Sequence, residues 1–512
     1  MGYEISTVSN GCASDMIVCR RTYQVVVAAT REGGLGKDGK MAWHIPTDSR
    51  FFEDVTTKTS NPEKMNAVIM GRKSWDAVPP DYRPFCGRIN VIVTRSLNFD
   101  VEGLENALVC RSLDTALELL ALPPYDDLVE TVFNIGGGVL LRETLNAPAC
   151  DAIHITEMET SIECDTFIPS IDTYSFHPWY SSFPLVENNI RYSFVTYVRV
   201  RSNVAKNGTG DNSLRSYSGP FKIQDFSFLP KMILDRHEEY MYLSLVNDII
   251  LSGNLKNDRT GAVTLSKFGC QMRFNLRKTI PLLTTKRVFW RGIVEELLWF
   301  IIGSANAKRL LEKGVHICDE NTSRNYQDSI GLTEREESDL GPGPGFHWRH
   351  FGARYTNMHA DYTDQGIDQL SDVIHKIKNS PDDTHIVLSA WNHSDLQMMP
   401  LPPCHMFAQF YVANGELSCL TYNRSADMSN RVPIDIASYA LLTCLIAHVC
   451  DLLPGDFIHD IGDAHVYRGH IESLQEQLKN PPKPFPVLKI NPQKKSIDSF
   501  EPADFNLIGY DL

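Results

Sequence analysis

A carboxyl group among aromatic residues is the first feature that could do chemistry. Asp48 lies just after Pro46 and opens a predicted helix that carries Phe51 and Phe52 on its inner side, with Trp43 shortly before it. An acid at this position often only stabilises the N-terminus of its helix. An acid buried among aromatic rings can instead have a raised pKa and transfer protons. The pattern therefore predicts a proton-handling Asp48, with helix stabilisation as the alternative.

A glycine triplet between a predicted strand and a predicted helix could bind a diphosphate. Gly136-Gly137-Gly138 follows the apolar segment Thr131–Ile135 and precedes the helical segment Val139–Leu145. Glycines let the backbone approach a diphosphate closely, and the helix N-terminus supplies amide donors. A tight turn without a ligand is the alternative. Cations and hydroxyls that suit a phosphate monoester follow two other strands, at Arg72, Lys73, Ser74, Thr94, Arg95 and Ser96.

A thiol lies on a predicted tight turn in the C-terminal half. Pro402-Pro403-Cys404-His405 precedes the apolar strand Met406–Val412. A buried structural cysteine is the usual role of a single thiol. A turn at a strand edge, followed by a histidine, favours a nucleophile instead. Arg259 and Arg424 add two cations that could hold a phosphate.

Two adjacent acids lie in a strongly apolar predicted helix. Glu295 and Glu296 fall inside the run from Ile293 to Phe300. One of these carboxyl groups must be buried or must face a cavity, which costs free energy unless the group is used. The run therefore indicates a functional carboxylate in the second half of the chain.

Short apolar strands that alternate with helical stretches must position the N-terminal residues. This alternation over residues 21–201 predicts an α/β domain with a mainly parallel sheet, preceded by an extension at 1–20. Residues 202–226 are rich in Gly, Ser and Asn and are predicted to be a linker, because such a segment cannot bury a core. Residues 227–512 mix strands with helices, predicted over His237–Leu251, Gly292–Ile302 and Ile434–Cys450, and are predicted to form an α+β domain.

Composition narrows the class of protein. A chain of 512 residues is long enough for two domains. Its formal charge of −14 gives no indication of a basic surface that would bind a nucleic acid. The 12 cysteines form no CxxC pair and no zinc-ligand spacing, so we expect a reducing compartment and no metal site. The absence of an apolar run of 18 residues predicts no membrane span. The start matches neither a signal peptide nor a transit peptide, which predicts a cytoplasmic protein and leaves an organelle open.

The N-terminal motifs together resemble dihydrofolate reductase over nearly all of Tyr23–Arg201. The matching residues are Gly36, Trp43, Asp48, Met70-Gly71-Arg72-Lys73, Gly87-Arg88, Ile135-Gly136-Gly137-Gly138 and Asp165-Thr166-Phe167. The resemblance implies that NADPH is the cofactor and lies over the glycine triplet. Its 2′-phosphate would lie near Arg72, Thr94 and Arg95.

The same resemblance implies roles for the residues that would contact dihydrofolate. Asp48 would hydrogen-bond the pterin and promote its protonation, supported by Thr156. Trp43 and Phe52 would line the folate pocket, and Arg88 would pair with the glutamate carboxylate. The family usually has other residues at Ala42, Ser49, Phe85 and Cys86, so we expect binding with weakened turnover.

The C-terminal motifs resemble thymidylate synthase over about Phe228–Leu512. The matching stretches are 257–261, 286–291, 296–300, 401–405 and 463–467. By resemblance, Cys404 attacks dUMP beside His405, Glu296 organises water for proton transfer, and methylenetetrahydrofolate supplies the methyl carbon. The other implied ligand residues are Arg259, Arg424 and Ser425 at the phosphate, His465 and Tyr467 at the ribose, and Asp427 at the folate pterin.

The synthase-like half departs from the family's pattern at several ligand-facing positions. Thr384 and His385 replace two arginines that reach into the neighbouring subunit's phosphate site, each a charge-assisted contact worth roughly 1.5–3 kcal/mol. Arg431 replaces a glycine that lies against folate, and Asp435 replaces the asparagine that reads the uracil edge. The remaining departures are Gly341-Pro342-Gly343-Pro344-Gly345 without the family's tyrosine, Cys318 in place of a tryptophan, and an end at Leu512 without the family's short tail.

These departures predict a working reductase joined to a synthase half with weak or absent activity. The expected substrates are dihydrofolate and dUMP, and the expected assembly is a homodimer through the synthase-like domain. One alternative is a regulatory pseudoenzyme that pairs with an intact homologue and withholds the two arginines from its site. Another is a changed pyrimidine substrate, since Asp435 presents mainly acceptors and suits a cytosine-like edge.

Overall fold

A computed structural model describes residues 21–200, 226–257, 261–316 and 323–510. The chain forms two compact units. The first contains the chain up to residue 176 together with 184–199 and 227–232. The second contains residues 177–183 and the chain from residue 233 onward, with the predicted linker. The predicted N-terminal extension and all of the linker except Phe226 lie outside the described residues.

The first unit is built on a mainly parallel sheet. The strands as far as residue 199 are β1 Tyr23–Thr30, β2 Gly34–Gly36, β3 Met65–Gly71, β4 Arg88–Val93, β5 Ala107–Cys110, β6 Val129–Asn134, β7 Cys150–Met158, β8 Thr166–Phe167, β9 Phe176–Ser181, β10 Leu185–Glu187 and β11 Ile190–Arg199. The sheet order is β10-β11-β7-β1-β6-β3-β4-β5. Only the pairs β10/β11 and β11/β7 within that order are antiparallel. The predicted α/β fold class is therefore confirmed.

Helices cover this sheet and bury its central strands. They are α1 Pro46–Thr57, α2 Arg72–Ala77, α3 Leu113–Leu119, α4 Tyr125–Leu128 and α5 Gly138–Thr144, with a 3₁₀ turn at Pro80–Tyr82. Residues 67–70 of β3 are fully buried, as expected for a strand covered on both faces. The parallel strands β3, β4 and β6 end at one edge of the sheet, which brings Gly71, Thr94 and Gly136 together.

The second unit is built on a six-stranded sheet in the order β12-β13-β17-β16-β15-β14. Its strands are β12 Asn254–Asn257, β13 Val263–Asn275, β14 Val387–Ser389, β15 His405–Ala413, β16 Glu416–Asp427 and β17 Leu453–Tyr467, and a separate pair is formed by β18 Val487–Ile490 and β19 Phe505–Ile508. Only β16 and β17 are parallel within the large sheet. The predicted mixture of helices and strands is confirmed.

Helices α6 to α14 and four 3₁₀ turns complete the described chain. The helices are Lys231–Leu234, Glu239–Ser252, Trp290–Ile301, Lys308–Leu311, Arg324–Ser329, Pro344–His350, Gln369–Asn379, Arg431–Val449 and Ile471–Gln477, and the turns are His393–Met398, Arg468–His470, Ile497–Ser499 and Pro502–Asp504. Helix α13, Arg431–Val449, begins three residues before its predicted start at Ile434. Pro433 does not prevent this, because a first-turn amide has no intrahelical acceptor.

Helix α13 is also the one helix among the described residues that is long and apolar enough to cross a membrane. Its most apolar window is 89% buried inside the unit. A helix that is hydrophobic all round and buried in this way is a core helix.

Candidate active sites

Asp48 lies in the first turn of α1 and points at β7. Its residue is only 8% exposed, and the Thr156 hydroxyl donates a 2.6 Å hydrogen bond to Oδ1. Burial raises the pKa of Asp48 above its usual value, and the hydrogen bond from Thr156 opposes part of that rise. The structure thus brings together the predicted acid and its predicted support. A carboxyl group in this setting keeps its proton to a higher pH than an exposed aspartate does.

Aromatic rings surround the acid as expected from the sequence. Phe51 stacks on Phe194 with ring centroids 4.2 Å apart, while Phe52 meets Phe85 edge to face at 5.6 Å. The indole Nε1 of Trp43 is buried and has no hydrogen-bond partner among the described residues. A buried donor without a partner suits a pocket that receives a polar ligand.

Arg88 lies at the far end of the same pocket. Its Nη1 donates to the Thr56 hydroxyl at 2.7 Å and its Nε donates to the Cys86 carbonyl at 3.1 Å. Its guanidinium carbon lies 4.9 Å from the centroid of the Phe85 ring. These contacts fix the orientation of the buried Arg88 guanidinium, and a guanidinium held in this way suits bidentate recognition of a carboxylate. Burial lowers the pKa of Arg88, and Glu53 and Cys86 oppose that effect.

The glycine triplet lies against the end of β3. The Gly71 amide donates to the Gly136 carbonyl at 2.7 Å. A Cβ at Gly137 would lie 2.7 Å from the Ser74 hydroxyl oxygen, and one at Gly138 would lie 2.6 Å from the Thr166 methyl carbon. Glycine therefore lets the backbone pass close to these two side chains, ahead of the helix that begins at Gly138.

The predicted phosphate-binding side chains lie along the same edge of the sheet. Arg72, Lys73 and Arg95 are exposed, and the Ser96 amide donates to the Thr94 hydroxyl at 3.1 Å. Exposed cations beside a glycine cradle fit the phosphates of NADPH. The residues present thus fit the cofactor that the sequence predicts.

Arg424 positions the turn that carries Cys404 in the second unit. Its side chain donates to the carbonyls of Pro402 and Pro403, each at 3.1 Å, and its amide donates to the Cys404 carbonyl at 2.9 Å. His405 is buried against the Tyr439 hydroxyl, and burial lowers its pKa to about 3. The ring beside the thiol is therefore neutral at physiological pH.

Both acids of the apolar helix are buried, and each pairs with a different cation. Lys313 Nζ lies 2.7 Å from Glu295 Oε2. Arg431 Nη1 lies 3.0 Å from Glu296 Oε1, and Arg431 Nε lies 2.7 Å from Asp435 Oδ1. The sequence predicted that one acid is buried and that Arg431 intrudes on folate. Arg431 joins Glu296 and Asp435 in one ion cluster, which we call the Arg431 triad, and its contact with folate stays a prediction.

The other oxygen of Asp435 is also engaged. Asn423 Nδ2 donates to Asp435 Oδ2 at 2.8 Å. Burial raises the pKa of Asp435 to about 6, against the opposing effect of Arg431. Burial would lower the pKa of Arg431, but Asp435 and Glu296 raise it above its usual value. The predicted uracil-reading position is therefore occupied by contacts within the chain.

The residues predicted for folate, ribose and part of the phosphate site lie in two further groups of contacts. Asp427 accepts from the amide and the hydroxyl of Ser429 at 2.9 and 2.7 Å, and that hydroxyl lies 2.6 Å from His470 Nδ1. Ser425 Oγ lies 3.5 Å from His465 Nδ1, and the His465 ring meets Tyr467 edge to face at 5.3 Å. Asp427 is thus held by its own chain.

Some predicted residues are not in these groups, and some contacts were not predicted. Arg259 and Cys318 lie outside the described residues. Thr384 and His385 are exposed, and His385 Nδ1 lies 2.8 Å from Asp383 Oδ1. Asn423, Tyr439 and His470 were missed. A period-two pattern could have placed Asn423 beside Arg424 in β16, but nothing in the sequence marks the other two.

Comparisons with known proteins match both halves of the chain. A protein-family model described as dihydrofolate reductase matches residues 22–199, and one described as thymidylate synthase matches residues 240–512. The chain is 65% identical to a bifunctional dihydrofolate reductase-thymidylate synthase of Glycine max, covering 98% of this chain and 96% of the relative. It is 66% identical to one of Daucus carota, over 96% of this chain and 94% of the relative. A relative from Leishmania amazonensis is 40% identical over 96% of this chain and 93% of its own length.

Proposed function

Because the chain belongs to the bifunctional dihydrofolate reductase–thymidylate synthase family, we propose that it reduces dihydrofolate with NADPH while its synthase half converts dUMP to dTMP weakly or not at all. The Arg431 triad carries this proposal. It engages Glu296 and Asp435, two groups that the synthase reaction needs, whereas nothing comparable engages Asp48 in the reductase half.

The reductase half has the groups that its reaction needs. NADPH supplies the hydride when bound over residues 136–138. Asp48 holds the pterin and promotes its protonation, and its raised pKa favours the protonated form to a higher pH than in an exposed aspartate. Arg88 fixes the glutamate end of dihydrofolate, so that the pterin lies beside the acid and the nucleotide. Each of these tasks belongs to a side chain that the structure positions.

The synthase half retains the Cys404 thiol, but its acidic side chains are engaged by contacts within the chain. A ligand that displaces Arg431 must offset a charge-assisted contact worth roughly 1.5–3 kcal/mol. Asp435 accepts from Asn423 and pairs with Arg431, so neither oxygen faces a pyrimidine freely. Asp427 is satisfied by Ser429 in the same way. These contacts oppose the binding of dUMP and methylenetetrahydrofolate together.

The proposal is tested by measuring both half reactions on one sample of the full chain. We expect NADPH oxidation with dihydrofolate at a readily measured, although weakened, rate. We expect dTMP formation from dUMP and methylenetetrahydrofolate at least about a hundredfold below that rate, since the lost contacts compound. Comparable rates for the two reactions would contradict the proposal.

A regulatory role is the second candidate. Phe268 and Leu255 in the sheet of the second unit are 81% and 72% exposed, which supports association through this unit as a homodimer or with an intact homologue. A mixed dimer would offer Thr384 and His385 where the family has arginines. We expect co-expression to lower the synthase activity of the homologue. Mixed dimers that retain full activity would exclude this role.

A further inference from the structure

Three buried polar side chains lie side by side beneath the synthase site. Thr421 and Asn423 are on β16, two residues apart and therefore on one face, and His459 is the register partner of Thr421 on β17. Their exposures are 0%, 0% and 1%. We call these three residues the buried polar cluster.

Most of the polar atoms of this cluster have no hydrogen-bond partner. Thr421 Oγ1, Asn423 Oδ1 and both ring nitrogens of His459 are buried without one among the described residues. Buried polar atoms in folded proteins nearly always have a partner, either in the protein or in ordered water. Four such atoms on three adjacent side chains therefore indicate a ligand that the cluster encloses.

The surroundings limit the chemistry of that ligand. Met272 is the register partner of His459 on β13, and the Phe457 ring lies 5.9 Å from the His459 ring. On the other side, Asn423 donates to Asp435 of α13. Burial lowers the pKa of His459 to about 3, so its ring is neutral. The cluster offers small neutral donors and acceptors, with apolar side chains on the side of β13, which suits water and not an ion.

We propose that the buried polar cluster binds internal water, with at least two molecules. The two ring nitrogens of His459 point in different directions, so one water molecule cannot bond both. A water molecule that donates to Asn423 Oδ1 also orients the amide, so that Nδ2 faces Asp435. Asn423 is then a positioning residue for Asp435. This inference does not depend on whether the synthase reaction occurs.

The substitution Thr421→Val tests the proposal by the sign of its effect. Valine has the shape of threonine but cannot bond water. If water is bound, the variant removes one of the groups that hold it and weakens its binding, and we expect the thermal unfolding midpoint of the synthase unit to fall by about 2–4 °C. If the cluster is dry, the variant removes an unpaired hydroxyl, and the midpoint stays the same or rises. Either of those two results would overturn the proposal.

Thr443→Val in the same full-length chain is the matched control. Thr443 is equally buried, but its hydroxyl donates to the Tyr439 carbonyl within α13 at 2.7 Å. We expect this change to move the midpoint less than Thr421→Val. A crystal structure of the wild-type chain at high resolution gives a second readout that does not depend on how the variants fold. Ordered water within hydrogen-bond distance of both His459 nitrogens supports the proposal, and a dry cluster refutes it.

Discussion

The substitution Asp48→Asn is expected to lower the reductase kcat by about 10²- to 10⁴-fold near neutral pH. The amide keeps the shape of the side chain and can still accept from Thr156. It cannot hold the proton that the buried carboxylic acid retains through its raised pKa. The rate is measured as NADPH oxidation with saturating dihydrofolate.

The pH profile distinguishes a lost proton from a damaged pocket. In the wild-type chain, the rate should fall as the pH rises through the raised pKa of Asp48, because the acid then loses its proton. The profile of Asp48→Asn should be flat over that range. Asp54→Asn, on the exposed side of the same helix, should behave like wild type. An Asp48→Asn variant with wild-type turnover would rule out the assigned role.

The double substitution Arg431→Gly with Asp435→Asn is expected to raise dTMP formation about tenfold to a hundredfold over wild type. Removing Arg431 frees Glu296 from a charge-assisted contact worth roughly 1.5–3 kcal/mol, which corresponds to such a factor. The second change avoids leaving Asp435 as a buried carboxylate without its cation. The remaining deficit is expected from Thr384 and His385. The rate is followed by the release of tritium from C5 of labelled dUMP.

Lys313→Met gives the matched control for this gain. Lys313 pairs with Glu295, the acid next to Glu296 in the same helix, at a comparable distance of 2.7 Å. Removing that cation should leave dTMP formation unchanged. A similar gain in both variants, or no gain in the double variant, would mean that the Arg431 triad does not limit the synthase half.

Local patterns were sufficient to predict most of the fold. The apolar segment Tyr23–Thr30 is a mostly buried strand, because a parallel strand covered on both faces has a nearly continuous apolar run. The helix predicted over 237–251 is observed as α7, Glu239–Ser252. The start of α13 was misplaced because Pro433 resembles a helix boundary, although proline is accommodated in a first turn.

The sites were less predictable, because their contacts join distant parts of the chain. Asp48 could be singled out from its aromatic neighbours, since that signal is local. The contact between Arg431 and Glu296 spans 135 residues, and nothing near either residue reveals it. The sequence therefore did not reveal the ion pair of Arg431 with a buried acid, and its expected contact with folate stays a prediction. The partner of Asp435, Asn423, was missed for the same reason.

The central claim is that one chain contains a free reductase site and a synthase site occupied by its own side chains. The most direct test incubates the wild-type chain with 5-fluoro-dUMP and methylenetetrahydrofolate, and then measures the mass of the peptide that contains Cys404. The expected result is an unmodified Cys404 in a sample that oxidises NADPH with dihydrofolate. A stoichiometric covalent adduct at Cys404 would contradict this account.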